Sequence, residues 1–104
     1  MADDWDWGFA VAYNAVLQAS RAYMFAHGYR AAGADMHKNT FAFMIVALGG
    51  ELEELITYFD RMRSKRNRAL YDVAGMISET EARSLLKKAV EYVKLIRAKL
   101  KDRL

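Results

Sequence analysis

Cysteine and proline are both missing from the 104 residues, and glycine occurs only six times. Without cysteine there is no disulfide, no thiolate metal site and no cysteine nucleophile, and the composition fits a reducing cytoplasm. Proline and glycine are the two residues that most disfavour helices, so their scarcity favours an all-helical chain. Histidine is rare too. His27 and His37 stand ten residues apart, with no acidic pair at ligand spacing. Glu51, Glu53 and Glu54 cluster, but no histidine follows three residues on, as a di-iron motif requires. No metal and no cofactor are expected. Glycine-rich phosphate loops are absent, since Gly28, Gly33, Gly49 and Gly50 fit neither nucleotide fingerprint, and there is no nucleophile elbow. The longest nearly unbroken apolar run, Phe41 to Gly50, is about half of what a membrane span requires. The opening Met1-Ala2-Asp3-Asp4-Trp5-Asp6 is acidic, unlike a secretory signal. These readings point to a cytoplasmic protein with no membrane partner.

Hydrophobic residues make up 54% of the chain and aromatics 12%, which excludes a disordered chain. A chain of this length is one domain, residues 1–104, with a single core. Four helical segments stand out. The first runs from about Asp4 to His27 and stops at Gly28; Phe9, Tyr13, Val16, Ala19/Ser20 and Tyr23 recur on one face. The second, about Met36 to Leu48, is apolar on most sides, which predicts a central or interface position. Gly49-Gly50 breaks or kinks the chain. The third starts near Glu51 with the stripe Leu52, Leu55, Ile56, Phe59; Asn67 or the 72–75 stretch can end it. Ser78-Glu79-Thr80-Glu81 is a capping box that opens the fourth helix, whose expected core face is Ala82, Leu85, Leu86, Ala89, Val93, Ile96 and Leu100. Short connections predict an all-α, antiparallel four-helix up-and-down bundle. The hydrophobicity of the second helix predicts a homodimer.

Charge is unevenly spread. Residues 1–60 carry a net −5 and residues 61–104 a net +8. Such asymmetry can steer an anionic partner such as RNA or a nucleotide, or the two halves can neutralise each other across a bundle or dimer. The cations peak in Arg61-Met62-Arg63-Ser64-Lys65-Arg66-Asn67-Arg68, five in eight residues. At about 100° per residue, Arg63 and Arg66 continue the face on which Phe59 buries. A face that turns from apolar to cationic without changing direction reads either as a cleft for an anion or as a helix that has left the core and is wet.

Arginine presents paired donors to phosphoryl oxygens, which makes Arg61, Arg63, Arg66 and Arg68 the candidate phosphate- or nucleotide-binding residues. Cleaving RNA also needs a group that activates the 2′-hydroxyl. Asn67 and Tyr71 are the local choices; neutral asparagine is no base, and tyrosine titrates near 10. On an unbroken helix Arg66 and Tyr71 lie about 140° apart, so a joint site needs a kink near Asn67 or a second subunit. Trp5, Trp7, Tyr13, Tyr23 and Tyr29 can stack bases, and core packing accounts for them equally.

The basic run resembles the signature of HEPN domains (higher eukaryotes and prokaryotes nucleotide-binding): an arginine, a polar residue, a few more residues and a histidine. Arg66-Asn67-Arg68-Ala69-Leu70-Tyr71 supplies the first two and puts Tyr71 at the histidine. With looser spacing Arg61 is the arginine and Asn67 falls on the histidine. Residues 12–25 followed by Gly28-Tyr29-Arg30 are similar to the long opening helix of many such proteins. The resemblance implies a dimeric helical bundle whose motif arginines face one cleft. It also implies binding of RNA or nucleotide, and work beside a small nucleotidyltransferase in a toxin–antitoxin-type system. In some members a motif-side tyrosine accepts nucleotidyl groups. The motif histidine is missing here, which ranks non-catalytic binding above the alternative, a metal-independent RNase toxin with Arg66 and Tyr71 or Asn67 as catalytic residues.

Overall fold

The computed structural model describes residues 4–30, 33, 36–71 and 78–103; the side chains of Asp4, Asp6, Glu51, residues 64–71 and residues 102–103 fall outside that description. The chain is all-α: helices α1 (Asp4–Ala26), α2 (Met36–Leu48), α3 (Glu53–Tyr71) and α4 (Glu79–Arg103), with a 3₁₀ turn at Gly50–Leu52 leading into α3. Among the described residues there is no strand.

Local signals set the ends. Gly28 takes a φ of +83°, the left-handed conformation glycine adopts without steric cost. Its amide donates to the Phe25 carbonyl at 2.9 Å and the Tyr29 amide to the Met24 carbonyl at 3.0 Å, which satisfies two carbonyls that the end of α1 leaves open. His27 Nδ1 adds a contact of 2.9 Å to the Tyr23 carbonyl. At the start of α4 the expected capping box is formed: the Glu81 amide donates to Ser78 Oγ at 3.1 Å, and the Ser78 amide to Glu81 Oε1 at 3.3 Å. Asn67 does not stop α3, which stays helical to Tyr71.

The core joins Phe9, Tyr13 and Val16 of α1, Phe41 and Met44 of α2, Ile56 and Phe59 of α3, and Leu85, Tyr92 and Ile96 of α4. Two expectations are corrected. Leu86, placed in the core by its spacing, is 55% exposed, and Tyr92 is fully buried in its stead. Tyr92 packs its ring on Phe59 at 5.1 Å and shares a hydrogen bond of 2.7 Å with buried Ser20, and these two contacts set the rotation of α4. Helix α2, expected at the centre or at an interface, keeps Thr40, Phe41 and Met44 inside and leaves Val46 87% exposed.

Helix directions depart from a simple up-and-down order, in which the first and last helices run oppositely. Arg83 lies over the Trp5 ring at 5.5 Å, and Ser20 meets Tyr92. Both contacts advance along α1 and α4 together, so these two helices run the same way. An antiparallel pair would carry Ser20 away from Tyr92 by tens of ångströms at about 1.5 Å per residue. Helix α3 runs against both. Tyr58 and Phe59 sit level with Lys88 and Tyr92. If α3 and α4 shared a direction, Tyr71 and Glu79 would be about 37 Å apart, beyond the roughly 29 Å that eight residues span at full extension. The start of α1, the start of α4 and the cationic end of α3 therefore meet at one end of the bundle.

Candidate nucleic-acid interface

Helix α3 leaves the core gradually. Phe59 is fully buried and Met62 packs partly against the core; beyond them the helix continues to Tyr71 carrying Arg63, Lys65, Arg66 and Arg68. Helix α3 continues through Asn67 without interruption. Arg63, Asn67 and Tyr71 hold a common face at four-residue steps, and Arg66 and Tyr71 stay about 140° apart around the axis.

Of the candidate arginines, two have described side chains. Arg63 Nε donates to Asp60 Oδ1 at 3.2 Å, with both side chains about one-third exposed. This local pair engages the Nε of the guanidinium. Asp60 was not singled out in the sequence, although its place three residues before Arg63 is one where helical side chains meet. Arg61 is exposed and lines an open groove of about 650 Å³ with Glu53, Glu54, Tyr58 and Lys88. Two carboxylates in that groove oppose an anion. Arg61 and Arg63, about 200° apart around the helix, do not share a pocket. The side chains of Arg66, Asn67, Arg68 and Tyr71 lie outside the described residues.

The end of the bundle where these turns emerge also receives the first turns of α1 and α4. Their acids are Asp4 and Asp6, and Glu79 and Glu81. Glu79 accepts from Arg83 at 3.1 Å, and Glu81 accepts from the Ser78 amide and hydroxyl. Each of these two acids of α4 thus has a partner within its own first turns. The −5 and +8 halves of the sequence do not become two opposite faces.

The remaining sequence candidates have structural roles. His37 Nδ1 meets Tyr13 Oη at 3.1 Å, and His27 caps α1. Among the described residues no three of His, Asp and Glu are grouped to hold a metal ion, and no helix is long and apolar enough to cross a membrane. Tyr13 and Tyr23 are buried, whereas Trp7 and Tyr29 are open. Burial pushes the Tyr92 hydroxyl up to about 12, against the smaller opposing effect of its bond to Ser20.

A second groove was not anticipated. At the end of α1, Gln18, Arg21, Ala22, Phe25, Tyr29 and Arg30 surround about 300 Å³. Two guanidinium groups, two aromatic rings and no carboxylate line it. The sequence signal available was the uncharged stretch from Trp7 to Ser20, which reads on both sides of α1. Compared with known proteins, the chain matches no family model, no curated protein and no solved structure.

Proposed function

We propose that this protein is a dimeric, HEPN-like module that binds the phosphates of RNA or a nucleotide through the last turns of α3, working beside a small nucleotidyltransferase. The observation that carries this reading is the unbroken run of α3 to Tyr71. It sets the five cations of residues 61–68 on consecutive turns of one helix at one end of the bundle. Arg63, Arg66 and Arg68 supply donors for phosphoryl oxygens.

The same continuity favours binding over cleavage. On one continuous helix Arg66 and Tyr71 stand about 140° apart, which disfavours a joint site on one phosphate. Neither Asn67 nor an ordinary tyrosine hydroxyl takes the 2′ proton at neutral pH. Titrating labelled single-stranded RNA between about 50 and 200 mM salt tests the reading, because each phosphate contact steepens the salt dependence by about 0.7 for single strands. Binding that weakens with salt, and an Arg63→Ala/Arg66→Ala variant with a slope shallower by about 1.4, is the expected result. Salt-independent binding, or none at low salt, overturns it. RNA cut in the presence of chelator by the parent but not by Arg66→Ala would establish the RNase reading instead.

A further inference from the structure

The uncharged outer face of α1 is the least explained feature of the molecule. Its inner face, with Phe9, Tyr13, Val16 and Ser20, is buried. The opposite face carries Gly8, Val11, Ala15, Gln18, Ala22, Phe25 and Tyr29, all exposed, at alternating steps of three and four. That spacing keeps a seam on one side of a helix over successive heptads. Trp7 flanks it at 66% exposure, and Val11, Phe25 and Tyr29 are 57%, 70% and 58% exposed. No charged residue interrupts α1 from Trp7 to Ser20. A helix left bare to water normally carries charge on that side, and apolar surface of this extent marks an interaction site.

The charges at the two ends of the stripe identify the occupant. Asp4 stands on the seam side of the first turn of α1, while the groove at its far end is lined by Arg21 and Arg30 with no carboxylate. A second copy laid antiparallel across a two-fold axis brings acid to base at both ends. In the register that pairs the two seams, Gly8 meets the partner's Phe25, Val11 meets the partner's Ala22, and Ala15 meets the partner's Gln18. Large side chains fall on small ones throughout. Trp7 then lies level with the partner's Ala26, and Asp4 level with the partner's Tyr29, next to the partner's Arg30. We infer that α1 is the homodimer interface, with the acidic start of one α1 seated beside the Arg21–Arg30 groove of the other. This specifies the dimer invoked in the proposed function as one whose two cationic α3 ends lie at opposite ends, not facing one cleft as the resemblance implies, and its evidence is separate from the cationic end of α3.

The wild-type chain, free of RNA, should sediment at twice its 11.9 kDa mass at micromolar concentration. Ala15→Glu places a charge mid-seam at an exposed site, where glutamate is an acceptable helix former; it should sediment as a monomer with an unchanged circular dichroism spectrum. Because the chain has no cysteine of its own, Gly8→Cys and Phe25→Cys chains can be mixed and oxidised. They should cross-link to each other and not to themselves. A monomeric wild type, or an Ala15→Glu chain that remains dimeric, overturns the interface, and self-cross-linking of either cysteine variant overturns the antiparallel register. RNA titration of the Ala15→Glu monomer reads phosphate binding independently, so loss of one property does not imply loss of the other.

Discussion

Tyr92 and Ser20 are two polar side chains in the centre of the molecule, both without solvent exposure and joined at 2.7 Å across α1 and α4. A buried hydroxyl left alone costs about 1–3 kcal/mol, more than its bond contributes when made. Tyr92→Phe, which orphans Ser20, is therefore expected to destabilise by about 1–2 kcal/mol in denaturant unfolding. The same burial predicts a pH dependence. The folded hydroxyl titrates at about 12 against 10.0 for the free side chain. Below pH 10 both folded and unfolded chains keep the proton. Between 10 and 12 only the unfolded chain releases it, so the stabilising contribution is complete below 10 and is lost as pH rises toward 12. The stability advantage of the parent over Tyr92→Phe should shrink across that interval; an advantage independent of pH would contradict the burial argument. Nothing in the sequence marked Tyr92 as core. Its partner lies 72 residues away, and an apolar neighbour, Val93, competed for the same helical face.

Helix ends were the most legible feature, because their chemistry is local. Serine followed three residues later by glutamate declares its own hydrogen bonds, and Ser78 and Glu81 make them. Ser78→Ala should cost about 1 kcal/mol, read as a lower thermal midpoint with the fold retained. Gly28 stops α1 for an equally local reason, and Gly28→Ala, forced into positive φ, should cost about 1 kcal/mol or more. Helix rotation was less legible. In α4 the apolar spacing admits two faces, one through Leu86 and Val93 and one through Leu85 and Tyr92, and packing against Phe59 selects the second. The candidate site divides in the same way. The cations follow from composition and periodicity, whereas the passage of α3 beyond Asn67 does not, since Asn67 is one of two possible stops. The Asp60 partner of Arg63 and the carboxylates near Arg61 come from where the side chains lie.

Helix direction is a property of the whole chain that no local signal encodes. Short connections favour antiparallel neighbours, and α3 and α4 obey; the first and last helices have no connection to each other, so their relative sense is set by packing alone. That sense decides what gathers at the cationic end of α3: the first turns of α1 and α4 in the observed arrangement, or the last turn of α4 with Lys99, Lys101 and Arg103 if α4 were reversed. The second arrangement would pile like charges together. The parallel α1–α4 pair can be read directly with a spin label, which broadens nearby resonances. Thr80→Cys and Lys101→Cys place the label at opposite ends of α4, about 32 Å apart at 1.5 Å per residue. The indole signals of Trp5 and Trp7 should broaden strongly with the first label and little with the second. The measurement belongs in the Ala15→Glu background, because in an antiparallel α1 dimer the partner's α4 would carry its own label toward the same tryptophans. Broadening from position 101 and not from 80 in that monomer would reverse α4 and bring its basic last turn to the end of α3.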